Sequence, residues 1–174
     1  MALIETVIAV AILMVAVVGV MSLAIVSITT TETQGHLQAR NSEYAQDKME
    51  QLLGLAFCDA STDTSVFPAN PAGTSGLAGC PVPLVNPQTG TGGNGGSSDP
   101  ANPVAGYVDY LDSNGNLVTA NGGWFYMRVW QVSMPAGTTN LKQITVTVRT
   151  NTRAGATGGL IPQATVTALK TYPF

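Results

Sequence analysis

Residues 1–28 read MALIETVIAVAILMVAVVGVMSLAIVSI, and this stretch decides how the chain is organised. Apart from Glu5, its side chains are apolar, small or hydroxyl-bearing. The stretch is long enough to cross a bilayer as a helix, since about 20 apolar residues suffice. The remainder of the 174 residues is enough for one small domain. The sequence therefore predicts a hydrophobic N-terminal helix followed by a single folded domain.

Glu5 is the only ionisable side chain in this apolar stretch. On insertion scales a carboxylate at membrane depth costs roughly 2.5–3.5 kcal/mol, so a cationic partner is expected. No Lys or Arg precedes Arg40, and the same segment therefore offers no side chain for this role. We expect the partner to be the α-amino group of a neighbouring copy. The alternative is a carboxylate that reaches water at the membrane surface.

The start of the chain does not fit an ordinary signal peptide. It has no positively charged region before the apolar run and no small-residue cleavage site after it. We expect Met1 to be the first residue after removal of a leader; the alternative is that Met1 is the initiator. Charged residues make up 10% of the chain and the net charge is −3, with the basic residues scattered. We therefore expect no specific nucleic-acid site.

One helix is predicted from residue 1 to about residue 55, with no proline to interrupt it. Residues 1–28 form its transmembrane or filament-core part, and 29–56 an amphipathic continuation. Apolar side chains recur there at helical spacing, which predicts a buried stripe: Leu37, Tyr44, Ala45, Met49, Leu52, Leu53 and Ala56. The residues Thr29–Thr31, Gly19 and Gly35 are the weak points of this helix.

Residues 57–103 are predicted to be an irregular loop, because prolines recur through them and Gly90–Ser98 is a flexible low-complexity tract. The chain has two cysteines, Cys58 and Cys80. A disulfide between them would stabilise the fold by about 3 kcal/mol in the chain-entropy model. Two free thiols or a metal site are the alternatives, and the single histidine, His36, lies on another segment.

Residues 104–174 are predicted to form an antiparallel sheet. Short segments of alternating hydrophobicity indicate strands over 107–111, 117–119, 124–134, 141–149 and 162–169, with a hairpin turn at Asn114–Gly115. The short connections favour a meander of sequential neighbours. We expect the apolar stripe of the helix to cover the apolar face of this sheet.

Two groups of residues in the sheet region allow a functional interpretation beside a structural one. Asp112, Asn114 and Asn116 could form a calcium loop, but the position of Gly115 departs from EF-hand spacing and favours a plain turn. Trp124, Tyr126 and Trp130 could form a binding stripe, or a core or inter-subunit contact. No nucleophile–base constellation is apparent. We predict no catalytic residues, no cofactor and no metal.

Leu3-Ile4-Glu5 at the start of a long apolar helix resembles the mature N-terminus of type IV pilins and type II secretion pseudopilins. Residues 39–53, ARNSEYAQDKMEQLL, are similar to the minor members that cap or prime filaments. The resemblance is specific over about 55 residues. Two departures are Met1, where the family usually has Phe, and Ser22, where major pilins commonly have Pro.

The resemblance implies an α+β fold with one long N-terminal α-helix packed on a C-terminal antiparallel β-sheet. It also implies cleavage before Met1 by a prepilin peptidase, methylation of the new amine, and residence in the inner membrane. The subunit would then join a helical filament outside the cell, through the pilus assembly machinery and with other pilins, with Glu5 paired to the amine of an adjacent copy. The alternatives are a minor pilin or secretion pseudopilin, and a monomeric membrane-anchored binding domain.

Overall fold

The computed structural model describes residues 2–55, 57, 62, 64, 94–138, 140–151 and 161–171. In chain order they form helix α1 (Ala2–Gly54) and strands β1 (Gly95–Gly96), β2 (Val108–Leu111), β3 (Leu117–Val118), β4 (Tyr126–Ser133), β5 (Leu141–Thr150) and β6 (Gln163–Thr171). The predicted α+β class, a long N-terminal helix followed by an antiparallel sheet, is confirmed. The chain divides into two compact units, Met1–His36 and Leu37–Phe174.

Helix α1 continues through the residues that the sequence marks as weak points. The Ser22 hydroxyl donates a hydrogen bond to the Val18 carbonyl at 2.9 Å. Hydroxyls of the threonine run donate in the same way to carbonyls one turn earlier: Thr29 to Ile25, Thr30 to Val26, Thr31 to Ser27 and Thr33 to Thr29. These side chains therefore satisfy their polar groups on the helix itself, which keeps them compatible with an apolar surrounding.

The six strands form one antiparallel sheet in the order β3-β2-β4-β5-β6, and β1 pairs with β4. The prediction of sequential neighbours is correct for the β2–β3 hairpin and for β4-β5-β6. It is wrong between β3 and β4, because β4 pairs with β2 and leaves the two-residue β3 at the sheet edge. A strand as short as β3 offers few ladder hydrogen bonds, whereas β2 pairs with β4 over four residues.

The second half of α1 packs on one face of this sheet. The core contains Ala45, Met49 and Leu52 from the helix together with strand residues Leu111, Tyr126, Trp130, Val132, Ile144, Val146 and Val148. Asn41, also fully buried, donates from its amide to the Pro162 carbonyl at 2.8 Å and to the Thr150 hydroxyl at 3.1 Å. The predicted stripe is confirmed at Leu37, Ala45, Met49 and Leu52; Leu53 is exposed, and Ala56 lies outside the described residues.

The face of β4 that the helix covers carries Tyr126, Arg128 and Trp130. Register shows this, because Trp130 lies opposite Val146 and Arg128 opposite Val148. Met127 and Val129 are buried on the other face. Alternation in the sequence separates these two sets but does not reveal which one faces the helix, since both are buried.

Helix α1 runs alongside β6, and contacts at both ends fix its direction. Near the start of β6 the Gln38 amide donates to the Gln163 carbonyl at 2.8 Å. Near its end the Lys170 ammonium donates to the Leu53 carbonyl at 2.9 Å. The helix spans ~22 Å between these contacts at 1.5 Å per residue, and the strand ~23 Å at 3.3 Å per residue. The two elements are therefore aligned over the full length of the strand.

Two lysines of the sheet donate hydrogen bonds to carbonyl groups at and just after the C-terminal end of α1. Its last turn contains no basic residue. The Lys170 ammonium also donates to the Leu55 carbonyl, and the Lys142 ammonium to the Phe57 carbonyl. Cations at this end complement the unpaired carbonyl groups and the helix dipole.

Part of the glycine tract that was predicted to be a flexible loop forms strand β1. Gly95 and Gly96 pair with Val132 and Gln131 of β4, and the Tyr107 hydroxyl donates to the Asn94 carbonyl at 3.0 Å. A Cβ at Gly96, where φ is +82°, would lie 2.2 Å from the Trp130 carbonyl oxygen. Only glycine fits this close approach, so part of the tract serves as a strand.

Candidate assembly site and the charged helix–sheet interface

Glu5 lies in the first turn of α1 and is exposed. Its neighbours are apolar and exposed as well. Every large apolar side chain from Leu3 to Ile28 is at least half exposed, between 50% at Val17 and 80% at Leu3. Within the described residues no ion pair involves Glu5. Among the described residues, the Glu5 carboxylate therefore lies on an apolar surface without a charged partner.

The other predicted site residues cannot be placed. Met1, Cys58 and Cys80 lie outside the described residues, so the terminal amine and the disulfide stay predictions. By length and composition α1 could cross a membrane: its most apolar window has a mean hydropathy of 2.9 and none of it is buried. A core helix or a signal sequence can meet the same criteria.

A cluster of four charged side chains joins α1 to the sheet, and sequence reasoning did not identify it. We call Asp47, Lys48, Asp109 and Arg128 the charged cluster. The Arg128 guanidinium donates to both carboxylate oxygens of Asp109. The distance from Nε to Oδ1 is 2.7 Å and that from Nη2 to Oδ2 is 2.8 Å. Its Nη1 donates to Asp47 Oδ2 at 2.9 Å. Both Arg128 and Lys48 side chains are only 4% exposed.

Lys48 completes the charged cluster. Its ammonium lies 3.1 Å from Asp109 Oδ2, donates to the Thr64 hydroxyl at 2.8 Å, and sits 4.1 Å from the ring centroid of Trp130. Burial lowers the pKa of the Lys48 ammonium, while the Asp109 carboxylate acts in the opposite direction. The pairing therefore offsets only part of the cost of burying this cation.

The spacing of the helix contained a signal for Lys48. Residues 41, 45, 48, 49 and 52 share one helix face by the i, i+3/i+4, i+7 rule. A polar residue on a buried stripe calls for a partner on the opposing surface. In the same way, Arg128 alternates with Tyr126 and Trp130 along β4, which puts the three side chains on one face of the strand. The missing information was the location of Asp109, which depends on the pairing of β2 with β4.

The charged cluster lines a groove of about 860 Å³ between α1, β2, β3 and β4. Gln51, Thr62 and Thr64 continue its wall, and the Thr62 hydroxyl donates to the Gly106 carbonyl at 2.8 Å. The polar groups in the wall bind one another: Asp109 accepts from both cations, and Thr64 donates to Gln51 at 3.2 Å. These contacts join the helix to the sheet.

The predicted turn at residues 112–116 is confirmed. Asp112 Oδ1 accepts the backbone N–H groups of Asn114 and Asn116, and its Oδ2 accepts the Asn116 side-chain amide at 3.0 Å. Gly115 has the positive φ that the turn requires. These donors, with the Asn116 amide first, hold the pKa of Asp112 below its ordinary value. Across the described residues no group of three or more His, Cys, Asp or Glu side chains could hold a metal ion.

The three aromatic residues of the possible binding stripe, Trp124, Tyr126 and Trp130, do not lie together. Tyr126 and Trp130 are buried in the core, which confirms the structural interpretation for them. Tyr126 packs edge-on against Tyr44 of the helix, with ring centroids 4.9 Å apart. Trp124 packs instead against Tyr110 at 5.6 Å. The three rings therefore form no shared binding surface.

Comparison with protein-family models, with curated proteins and with solved structures finds no match to this chain.

Proposed function

We propose that this chain is a structural subunit of a type IV pilus-like helical filament, assembled through its N-terminal helix. The observation that carries the proposal is the apolar surface of residues 3–28, which is exposed on every side of the helix and interrupted by one carboxylate. Burying an aliphatic side chain stabilises by about 1.5–3 kcal/mol, so a surface of this size requires cover.

The all-round exposure distinguishes this helix from one that docks on a single partner. An amphipathic helix needs one apolar neighbour, whereas a helix that is apolar on every face must be surrounded. Lipid supplies that surrounding before assembly, and neighbouring helices supply it in the filament. The subunit would thus reside in the inner membrane and end in an extracellular filament.

Glu5 supports assembly over simple anchoring. A monomeric anchor gains nothing from a carboxylate at membrane depth, since the charge only raises the cost of insertion. In a filament Glu5 pairs with the N-terminal amine of an adjacent copy, and each charge offsets the burial cost of the other. Processing before Met1 and a Cys58–Cys80 bridge in an oxidising compartment belong to the same proposal.

Glu5→Ala tests the proposal in the native host. We expect normal amounts of the variant in the membrane fraction and no filaments in sheared surface material. Glu32→Ala is the matched control, because Glu32 is an exposed carboxylate on the same helix beyond the apolar run. It should assemble as the unsubstituted chain does.

Two outcomes would contradict the proposal. One is a normal filament yield from Glu5→Ala. The other is absence of the chain from purified filaments, as judged by electron microscopy and mass spectrometry. A trace amount at filament ends would indicate the minor-pilin alternative. Mass spectrometry of the N-terminal peptide should show Met1 with a methylated amine.

A further inference from the structure

Strand β6 forms one edge of the sheet. Among the described strands it pairs only with β5, along Gln163–Thr171. Edge strands of natural proteins usually carry charges, prolines or bulges that prevent pairing with another chain. From Gln163 to Leu169 this strand has neither charge nor proline, and its register with β5 is uninterrupted.

The middle of β6 has a palindromic sequence centred on Val166. It reads Ala-Thr-Val-Thr-Ala over residues 164–168. Antiparallel pairing places residues opposite each other in reverse order, so a palindromic strand matches a second copy of itself. In a pair centred on Val166, Thr165 of one copy lies opposite Thr167 of the other, twice by symmetry.

The protein already contains such a pairing on the other edge of β6. Val146 of β5 lies opposite Val166, between two flanking threonine pairs. The hydroxyls of Thr145 and Thr167 are 3.2 Å apart, and those of Thr147 and Thr165 are 3.1 Å apart. Residues 145–147 of β5 and 165–167 of β6 are both Thr-Val-Thr. A second β6 therefore offers the same three central residues as β5, in the same orientation.

We propose that the edge of β6 is a docking surface for β6 of a second copy of this chain, antiparallel and centred on Val166. Thr165 and Thr167 are exposed, and they lie on the sheet face that carries the threonine pairs with β5. Leu169, which is 61% exposed, would lie opposite Gln163 of the second copy and lose exposed apolar surface. Ala164 and Ala168 on the helix side have small side chains. At the start of the strand the Gln163 carbonyl accepts from the Gln38 amide of α1, so a second copy replaces this contact at the outer ends of the pair.

The contact has two-fold symmetry and closes on itself, since the same residues are used by both copies. It is independent of the proposed function, which uses the N-terminal helix. The experiments therefore use the full-length chain with Glu5→Ala, in detergent micelles, where helix-mediated assembly is not expected. Loss of filaments and loss of the β6 contact can then be distinguished.

Charge substitution tests the contact by analytical ultracentrifugation. We expect dimers from the Glu5→Ala chain and at least tenfold weaker association after adding Thr165→Lys with Thr167→Lys, which places like charges opposite each other across the two-fold axis. Thr165→Lys with Thr167→Glu places opposite charges there and should restore the dimer. Two lysines on exposed positions of β4, Gln131→Lys with Ser133→Lys, control for added charge and should leave it unchanged.

A cysteine experiment tests the register. Opposite positions in an antiparallel pair have Cβ atoms about 4.5–5.5 Å apart, and diagonal positions about 7–8 Å. A mixture of Thr165→Cys and Thr167→Cys chains should form a disulfide on oxidation. Peptide mapping distinguishes this bond from any that involves the native Cys58 or Cys80. Either variant alone should form none at the new cysteine. A monomeric Glu5→Ala chain, a dimer unaffected by the two lysines on β6, or equal cross-linking of single variants and mixture would each overturn the proposal.

Discussion

Asp109 accepts hydrogen bonds from two cations that are almost fully buried, and this makes it the residue on which the charged cluster depends. Both of its oxygens bind Arg128, and one also lies 3.1 Å from the Lys48 ammonium. Removing one partner of a buried ion pair is costly because the remaining charge stays buried without compensation.

Asp109→Asn is therefore expected to lower the free energy of unfolding by about 3–5 kcal/mol. Asp47→Asn is the matched control: it removes a carboxylate from the same Arg128, but from a side chain that is 54% exposed. Exposed pairs contribute about 1 kcal/mol or less. Urea unfolding of the purified full-length variants, followed by tryptophan fluorescence, measures the difference. Similar losses in both variants would show that the charged cluster is not governed by Asp109.

At the residue scale, the sequence reveals single residues that are unusual for their surroundings, but it does not reveal which side chains contact each other. Glu5 is conspicuous because no other ionisable side chain occurs in residues 1–28, and its side chain is exposed on the apolar part of α1. Lys48 and Arg128 sit on the correct faces by periodicity, yet their shared partner comes from β2. That contact is long-range, and spacing along the chain carries no information about it.

At the element scale, the long helix and the β2–β3 hairpin are the features that sequence describes best. Both depend on local rules: apolar periodicity for α1, and an Asp-Ser-Asn-Gly turn for the hairpin. Strand order is non-local, and the insertion of β2 between β3 and β4 was not predicted. The strand formed by Gly95 and Gly96 was also not predicted, because a glycine tract has the composition of a linker. Its contacts with Tyr107 and β4 are long-range.

The hairpin gives a pH prediction. The pKa of Asp112 is lowered in the folded state, chiefly by the Asn116 side-chain amide. Between the folded and the unfolded pKa of Asp112, the folded protein consequently binds fewer protons than the unfolded chain. The stabilisation is present above the unfolded pKa, about 3.9, and is lost as the pH falls through the folded value.

Asn116→Ala should raise the pKa of Asp112 toward its ordinary value, as measured by NMR titration of the carboxyl carbon. Asn114→Ala is the matched control, since Asn114 reaches Asp112 through its backbone N–H and retains that hydrogen bond. An equal pKa shift in both variants would show that the Asn116 amide is not the cause.

At the scale of the whole molecule, the two compact units differ in where their apolar surface lies. All core side chains belong to Leu37–Phe174, and the apolar side chains of residues 3–28 are exposed. The composition predicts a very apolar start over residues 1–28 and a more polar remainder, whereas the boundary between the two compact units lies after His36. The functional assignment depends on how copies associate, which a single chain does not specify.

A chain that begins at Leu37 is therefore expected to fold in aqueous solution without detergent. It should show a cooperative urea transition and the near-ultraviolet circular dichroism of a fixed tryptophan environment, because Trp130 lies in its core. Addition of Asp109→Asn to the shortened chain should lower the transition midpoint, which controls for native packing. A gradual, non-cooperative transition would show that residues 1–36 are needed for folding.

The alignment of α1 along β6 determines how the domain carries mechanical load. Gln38 holds the start of the strand and Leu53 its end, with the core between them. A force along the helix axis pulls these contacts sideways and all at once, in shear, whereas a force across the axis would peel them one after another. Tension transmitted along the helix is thus shared by the whole length of β6, and the sheet resists detachment as one body.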